Sequence, residues 1–179
     1  VFRGIRGGYK MDSWHVDTRC NVTDVCIETG MMAASNFSTD INLHVVGATN
    51  RVVVLVGGTN TTGVRISGYV EVTSEAVIQI GHKTTEYTPV ESTILDIDVS
   101  SFYSQNNPTD GVIKIYAPVN NLNISKSYAN SNPLGVKLMT SAADGSHITY
   151  DYNNFISDSS GNVMLRRYAR YGVPTFTFL

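Results

Sequence analysis

Positive charge is scarce in this chain of 179 residues, which has 13 lysine and arginine residues against 15 aspartate and glutamate residues, a formal net charge of −2 at pH 7. That balance provides no electrostatic attraction for nucleic acid or for an anionic membrane surface. No apolar run approaches the roughly 18 residues needed to cross a bilayer, and no signal-peptide pattern opens the chain. We therefore expect neither nucleic-acid binding nor membrane insertion.

Cysteine is also scarce, because Cys20 and Cys26 are the only two in the chain. Two cysteines do not make the disulfide framework of a small secreted domain, and free cysteine is common in protein cores. The count favours two free, buried thiols, although sequence alone leaves the disulfide state open.

Motifs for metals, nucleotides and activated nucleophiles are missing. The histidines are dispersed without HxH or HExxH spacing, no GxSxG elbow surrounds a serine, and no Walker lysine follows the glycine-rich turns. His15, Asp17 and His44 could approach one another in a folded chain, but a structural or solvated role is favoured for them. We expect no metal and no cofactor.

Short β-rich strands, in contrast, recur along the whole chain. No window sustains a helical period, and β-branched and aromatic residues are abundant. The strands fall into two families that alternate strictly in chain order, with steps of 23 to 35 residues between members of one family. Their reference apolar residues are Val25, Val53, Ile78, Ile113, Val136 and Val163 in one family, and Val16, Leu43, Ile66, Ile97, Ile124 and Ile148 in the other.

This repetition predicts an all-β parallel solenoid of about six coils. One coil cannot bury its own inward side chains, so it stacks on the next and shares a continuous core. The alternative is a β-jelly roll, which suits the length but needs antiparallel strands of unequal spacing. We expect the solenoid body to span residues 1–170, followed by a tail at residues 171–179.

Four segments show the strand pattern best: VRISGYVEV (64–72), ILDIDVS (94–100), VIKIYAP (112–118) and LNISKSY (122–128). In them the chain resembles the right-handed parallel β-helices of the pectin-lyase-like group, and within that group the body of a bacteriophage tailspike. The resemblance covers nearly the whole chain and rests on spacing rather than on a catalytic signature.

The resemblance implies a side-by-side homotrimer on a virion tail or otherwise outside the cell, with residues 171–179 as a trimer-packing segment. It also implies attachment to the rest of a larger spike polypeptide or virion. The first residue, Val1, and the lack of capping helices favour the same expectation of a processed or excised chain.

Two aspartates are the candidate catalytic residues. Asp96 and Asp98 stand at i and i+2 of one strand, which places both carboxylates on one face roughly 6.5–7 Å apart. That separation is at the lower edge of the range for an inverting glycoside hydrolase. The alignment places Arg65 and Asn123 beside Asp96. If the protein is an enzyme, we predict an endo-acting hydrolase; the alternative is a pair of solvated surface carboxylates.

Tyrosines supply the expected sugar contacts. Tyr69, Tyr103 and Tyr128 follow successive strands and are predicted to lie along one edge, where a ring can stack on a pyranose while its hydroxyl forms hydrogen bonds. The alternative is that tyrosine simply suits a half-buried strand. The predicted substrate-binding residues are Arg65, Asn123, Tyr69, Tyr103, Tyr128 and His44.

Three functions remain open at this point. The first is a tailspike-type host-receptor protein that binds bacterial surface polysaccharide (O-antigen or capsule) and, if its carboxylates converge, hydrolyses it. The second is a non-catalytic appendage shaft or adhesin. The third, a polysaccharide lyase, is disfavoured because an acidic Ca²⁺ cluster with a neighbouring arginine is not evident.

Overall fold

The computed structural model describes residues 3–6, 10–12, 15–20, 23–29, 35–37, 39–55, 60–81, 93–105, 112–125, 128–129, 135–140, 143, 146–150, 154–157, 160, 163–167 and 175–177. Within these ranges the chain forms seventeen β-strands and no α-helix. The strands are β1 (Arg3–Arg6), β2 (Lys10–Asp12), β3 (His15–Cys20), β4 (Thr23–Thr29), β5 (Ser35–Phe37), β6 (Asp40–Leu55), β7 (Asn60–Thr62), β8 (Val64–Ile80), β9 (Thr93–Gln105), β10 (Ile113–Ile115), β11 (Val119–Ser125), β12 (Tyr128–Ala129), β13 (Val136–Leu138), β14 (His147–Tyr150), β15 (Asn154–Ser157), β16 (Val163–Arg167) and β17 (Thr175–Thr177).

Parallel pairing between strands distant in sequence dominates the fold. The first stack consists of β3, the first half of β6, the first half of β8, β9, then β11 with β12, and β14. The second stack consists of β1, β4, the second halves of β6 and β8, β10, β13 and β15. A shorter third series joins β2, β5, β7 and the start of β9. The prediction of an all-β, parallel, solenoid-like fold is confirmed, and parallel pairing excludes the β-jelly roll for the described strands.

The core consists of columns of aliphatic side chains that repeat from strand to strand. In the second stack Val53, Ile78, Ile113 and Val136 are successive register partners, as the sequence alignment predicts, and each is completely buried. Each strand therefore buries its apolar residues against copies of itself, which is how a solenoid-like chain builds a core without helices.

The predicted register is wrong by two residues at every step of the first stack. Val16 pairs with Ile41 rather than Leu43, and Ile66 pairs with Val99 rather than Ile97. It is also wrong in the second stack, where Val25 pairs with Arg51 rather than Val53. Side chains on a strand alternate with a period of two, so a slip of two residues keeps the same face buried and leaves the hydrophobic pattern unchanged. The pattern alone therefore could not choose between the two registers.

A β-bulge interrupts the first stack between β8 and β9. Ile66 is opposite Val99, but Gly68 is opposite Phe102, so β9 contains one extra residue at this point. Gly68 has φ +113°, a conformation that favours glycine. A Cβ at this position would meet the carbonyl oxygen of Leu43 and lie 2.7 Å from its amide nitrogen. The close approach of β8 to β6 at this position therefore depends on glycine.

The two cysteines form a disulfide, so the expectation of free thiols is wrong. Cys20 ends β3 in the first stack and Cys26 lies within β4 in the second, with their Cα atoms 6.0 Å apart. Both side chains are buried. The count of two cysteines gave no sign of this pairing, because neither their number nor their spacing shows that the end of β3 lies beside β4.

Removing the disulfide by Cys20→Ala/Cys26→Ala is expected to cost about 2 kcal/mol of unfolding free energy, because the bond closes a short loop in the unfolded chain. Thermal unfolding with and without a reductant measures the loss. The reduced wild type serves as the matched control and should unfold close to the double variant. Two reactive thiols in the denatured, unreduced wild type would contradict the disulfide.

A buried arginine crosses the second stack. Arg51 is 5% exposed and donates from Nη1 to Gln79 Oε1 at 3.2 Å, while its guanidinium lies 3.7 Å from a carboxylate oxygen of Asp24 and from one of Glu75. Gln79 Nε2 donates in turn to the carbonyl of Gly81 at 3.0 Å. The charge is thus held by groups from the two strands that flank β6, namely β4 and β8, as a buried cation requires.

The last two strands reverse direction. β16 pairs antiparallel with β15, and β17 pairs antiparallel with β14, with Phe176 opposite Ile148. The rest of the predicted tail at residues 171–179 lies outside the described residues. Within the ranges given above, no helix has the length and apolarity needed to span a membrane.

Candidate functional site

The outer face of the first stack presents alternate residues of each strand to solvent. On β6, for example, Ile41, Leu43 and Val45 are buried, whereas Asn42 and His44 are exposed. Parallel pairing then aligns the exposed positions of successive strands into columns, with a spacing of about 4.8 Å between neighbours.

One column, the polar ladder, is made of His15, Asp40, Arg65, Asp98, Asn123 and Thr149. Asn123 Nδ2 donates to Asp98 Oδ1 at 3.1 Å. Arg65 Nη1 lies 3.4 Å from Asp40 Oδ1, with 70% and 45% of the two side chains exposed, so this is a surface ion pair of small energetic value.

The placement of Arg65 and Asn123 beside Asp96 is wrong, because both residues are register partners of Asp98 instead. The cause is the slip of two residues in the predicted register. Asp96 is opposite Asn121 in the backbone pairing, and its side chain lies outside the described part of the chain. The assignment of Asp96 and Asp98 as acid and base stays a prediction.

A shallow depression of about 300 Å³ opens at Asp98 and is lined by Arg65, Asn121 and Asn123 as well as by Gly63, Val64 and Ile97. Among the described side chains that line it, Asp98 is the one carboxylate. A carboxylate with an amide on one side and a guanidinium on the other can orient hydroxyl groups by hydrogen bonds. Two-acid hydrolysis requires a second carboxyl group on the opposite side of the scissile bond.

A second depression of about 390 Å³ lies on the other side of Arg65. It is lined by His15, Asp40, Ile41, Asn42, Arg65, Ser67 and Ser100. Arg65 lines both depressions, so the two hollows adjoin the polar ladder at neighbouring strands.

A second column, four residues further along β6 and β8 and five along β9 because of the bulge, forms the aromatic ladder of His44, Tyr69 and Tyr103. The ring centroids of His44 and Tyr69 are 5.7 Å apart, and those of Tyr69 and Tyr103 are 5.5 Å apart with an interplanar angle of 25°. Tyr128 is the backbone register partner of Tyr103, and its side chain lies outside the described residues. Rings stacked directly face to face have centroids about 3.5–4 Å apart. The larger centroid distances here mean that the rings are offset, which leaves part of each ring face uncovered.

Both tyrosine hydroxyls of this ladder are held by the residue two positions ahead. Tyr69 Oη donates to Glu71 Oε2 at 3.0 Å, and Tyr103 Oη lies 3.4 Å from Gln105 Oε1 in the same arrangement. The hydrogen bond to Glu71, then burial and then the charge of the Glu71 carboxylate raise the pKa of Tyr69 above its ordinary value of 10.0. Tyr69 therefore keeps its proton throughout the neutral range.

Small polar side chains separate the two ladders. Ser67 is opposite Asn42 and donates to its Oδ1 at 3.4 Å, while Ser100 is opposite Ser125. Four residues of extended strand span about 13 Å, so the ladders border a shallow lane of roughly that width. The lane runs along the axis of the stack and suits an elongated, hydroxyl-bearing ligand.

His44 does not join His15 and Asp17, because its register partners are Arg19 and Tyr69. Nor do the described residues include any group of three side chains able to hold a metal ion. The arrangement on this face is one of hydrogen-bonding groups and aromatic rings.

Sequence reasoning treated Glu71 only as a weak catalytic candidate without a partner acid, and it did not place Glu71 or Gln105 beside the tyrosines. The signal that could have found them is the repeated spacing Tyr-x-Glu at 69–71 and Tyr-x-Gln at 103–105. It also missed Asp40, since the slipped register did not place this residue beside Arg65.

Comparison with known proteins finds no family model, no curated protein and no solved structure that matches this chain.

Proposed function

We propose that this chain is a right-handed parallel β-helix of about six coils from a tailspike-type host-receptor protein, and that it binds a bacterial surface polysaccharide (O-antigen or capsule) along the lane between the two ladders. The observation that supports this most is the pairing of an offset aromatic ladder with a parallel polar ladder. The proposal also rests on the sequence resemblance to tailspike β-helices.

The chemistry of the face suits a polysaccharide better than a folded protein partner. Sugar rings combine an apolar face, which packs on an aromatic ring, with a rim of hydroxyls, which pair with amide, carboxylate and guanidinium groups. The described part of the face offers both kinds of contact at intervals repeated along the stack. A polymer that runs along the stack can make aromatic and hydrogen-bonding contacts at several of its sugars at once.

Hydrolysis of the bound polymer is the second candidate activity, favoured by the depression at Asp98. In this proposal Asp98 acts with Asp96 as an acid and base pair, and Arg65 and Asn123 orient the sugar. A structural shaft that binds no glycan remains the competing function.

A location outside the cell, on a virion tail within a side-by-side homotrimer, belongs to the same proposal. The Cys20–Cys26 disulfide supports an extracellular position, because disulfides persist on secreted proteins and on virion or cell surfaces.

The test is incubation of the protein with a panel of bacterial capsular and O-antigen polysaccharides, while bound polymer, new reducing ends and unsaturated products are followed together. Binding of at least one polymer supports the receptor function, and its absence across a broad panel points to a shaft. New reducing ends that disappear in Asp98→Asn establish hydrolysis, whereas unsaturated products indicate a lyase. Glu28→Gln, at a carboxylate of β4 in the second stack, is the matched control for Asp98→Asn.

A further inference from the structure

The Tyr69–Glu71 pair presents hydrogen-bond acceptors and no donor. The hydroxyl hydrogen of Tyr69 is directed to Glu71 Oε2, and an ionised carboxylate has no hydrogen to donate. What remains for a ligand is the lone pairs of the tyrosine oxygen and of the carboxylate. The Tyr69–Glu71 pair therefore accepts hydrogen bonds from the hydroxyl and amide N–H groups of a ligand. It repels a ligand that carries a carboxylate or a phosphate.

The charge of the surrounding face acts in the same direction. Its described charged side chains are Asp17, Asp40, Glu71 and Asp98 against Arg19 and Arg65, a formal balance of −2 when histidines are neutral. Arg65, which lines both depressions, is already paired with Asp40. An anionic polymer therefore meets an excess of like charge along the lane.

We infer that Glu71 determines the ligand class of this site, and that the site takes an uncharged, hydroxyl-bearing polysaccharide and rejects polymers that carry carboxylate or phosphate groups. The inference rests on the proposed polysaccharide-binding function and makes it more specific. Glu71 acts by directing the Tyr69 hydroxyl and by its charge.

The neighbouring strand contains a natural version of the same pair without the charge. Tyr103 and Gln105 are the register partners of Tyr69 and Glu71, and their hydroxyl-to-oxygen geometry is alike. Glu71→Gln therefore copies an arrangement that this fold already accommodates. Gln105→Glu is the reciprocal change, which extends the charge by one position along the ladder.

The experiment compares binding of wild type, Glu71→Gln and Gln105→Glu to neutral and acidic members of the capsule and O-antigen panel, and to dextran and carboxymethyl-dextran as a matched polymer pair. We expect the wild type to bind neutral polymers and not acidic ones. Glu71→Gln should shift the neutral-to-acidic binding ratio toward acidic polymers by about fivefold to tenfold, the effect of one exposed charge at contact distance. Gln105→Glu should shift the ratio in the opposite direction.

A second readout checks that Glu71 acts on the hydroxyl. The ultraviolet difference titration of wild type against Tyr69→Phe isolates the Tyr69 hydroxyl, and its pKa should fall toward the ordinary value in the Glu71→Gln background. An unchanged pKa would overturn the role of Glu71 in directing that hydroxyl.

The binding outcomes separate the two claims. A wild type that prefers acidic polymers, or a Glu71→Gln variant with an unchanged ratio, overturns the inference and leaves polysaccharide binding intact. A wild type that binds no polymer of either kind overturns the proposed function itself.

Discussion

Gly68→Ala is expected to destabilise the protein by about 3 kcal/mol or more, a large share of the stability of a domain of this size. Gly68 has φ +113°, and an added Cβ would meet the backbone of Leu43 on the neighbouring strand. A backbone atom cannot rotate away as a side chain can, so β8 and β6 must separate at the centre of the first stack. Urea or thermal unfolding followed by far-ultraviolet circular dichroism measures the loss.

Gly63→Ala is the matched control for this prediction. Gly63 is also left-handed, with φ +67°, but it is exposed and precedes β8. Its replacement should cost only the backbone penalty of about 1–2 kcal/mol. Equal losses from the two alanines would show that the close approach at Gly68 has no energetic weight.

Loss of the aromatic ladder is expected to have the largest effect on ligand binding. In Tyr69→Ala/Tyr103→Ala, a polysaccharide that binds the wild type should bind at least about thirtyfold more weakly, because each ring contributes apolar contact area as well as a positioned hydroxyl. Isothermal titration calorimetry with a polymer selected from the panel gives the ratio of dissociation constants.

Two comparisons sharpen this test. Tyr69→Phe/Tyr103→Phe keeps the rings and removes the hydroxyls, so an intermediate loss assigns separate parts to stacking and hydrogen bonding. Tyr116→Ala, at a tyrosine that follows β10 in the second stack, should leave the affinity unchanged. If Tyr69→Ala/Tyr103→Ala binds the polymer with the same affinity as the wild type, the ligand lies elsewhere on the molecule.

The architecture could be predicted because its signal is periodic and long. Two alternating families of apolar residues, repeated along the whole chain, require each strand to find its copy, and the column of Val53, Ile78, Ile113 and Val136 follows directly from their spacing. The disulfide could not be predicted in the same way, because the apolar repeat does not specify that Cys20 at the end of β3 lies beside Cys26 in β4.

The sequence predicts which residue types occupy the face of the candidate site, but not how they align from one strand to the next. Tyr69 and Tyr103 were expected along one edge, and their rings stack there. Arg65 and Asn123 were expected around the wrong aspartate, because hydrophobic alternation specifies which face a residue occupies and not its position along that face. Position is set by backbone pairing and by the bulge in β9, which leave no mark on the apolar pattern.

That bulge has a consequence for how such a surface can change over time. Without the extra residue in β9, Phe102 would take the place opposite Tyr69, and Tyr103 would be turned toward the core. A single inserted codon thus changes which residues of β9 alternate outward beyond that point, and the next strand follows the shifted register, with Tyr128 opposite Tyr103. Chains built in this way can acquire a new recognition surface by gaining or losing one residue, without a series of substitutions.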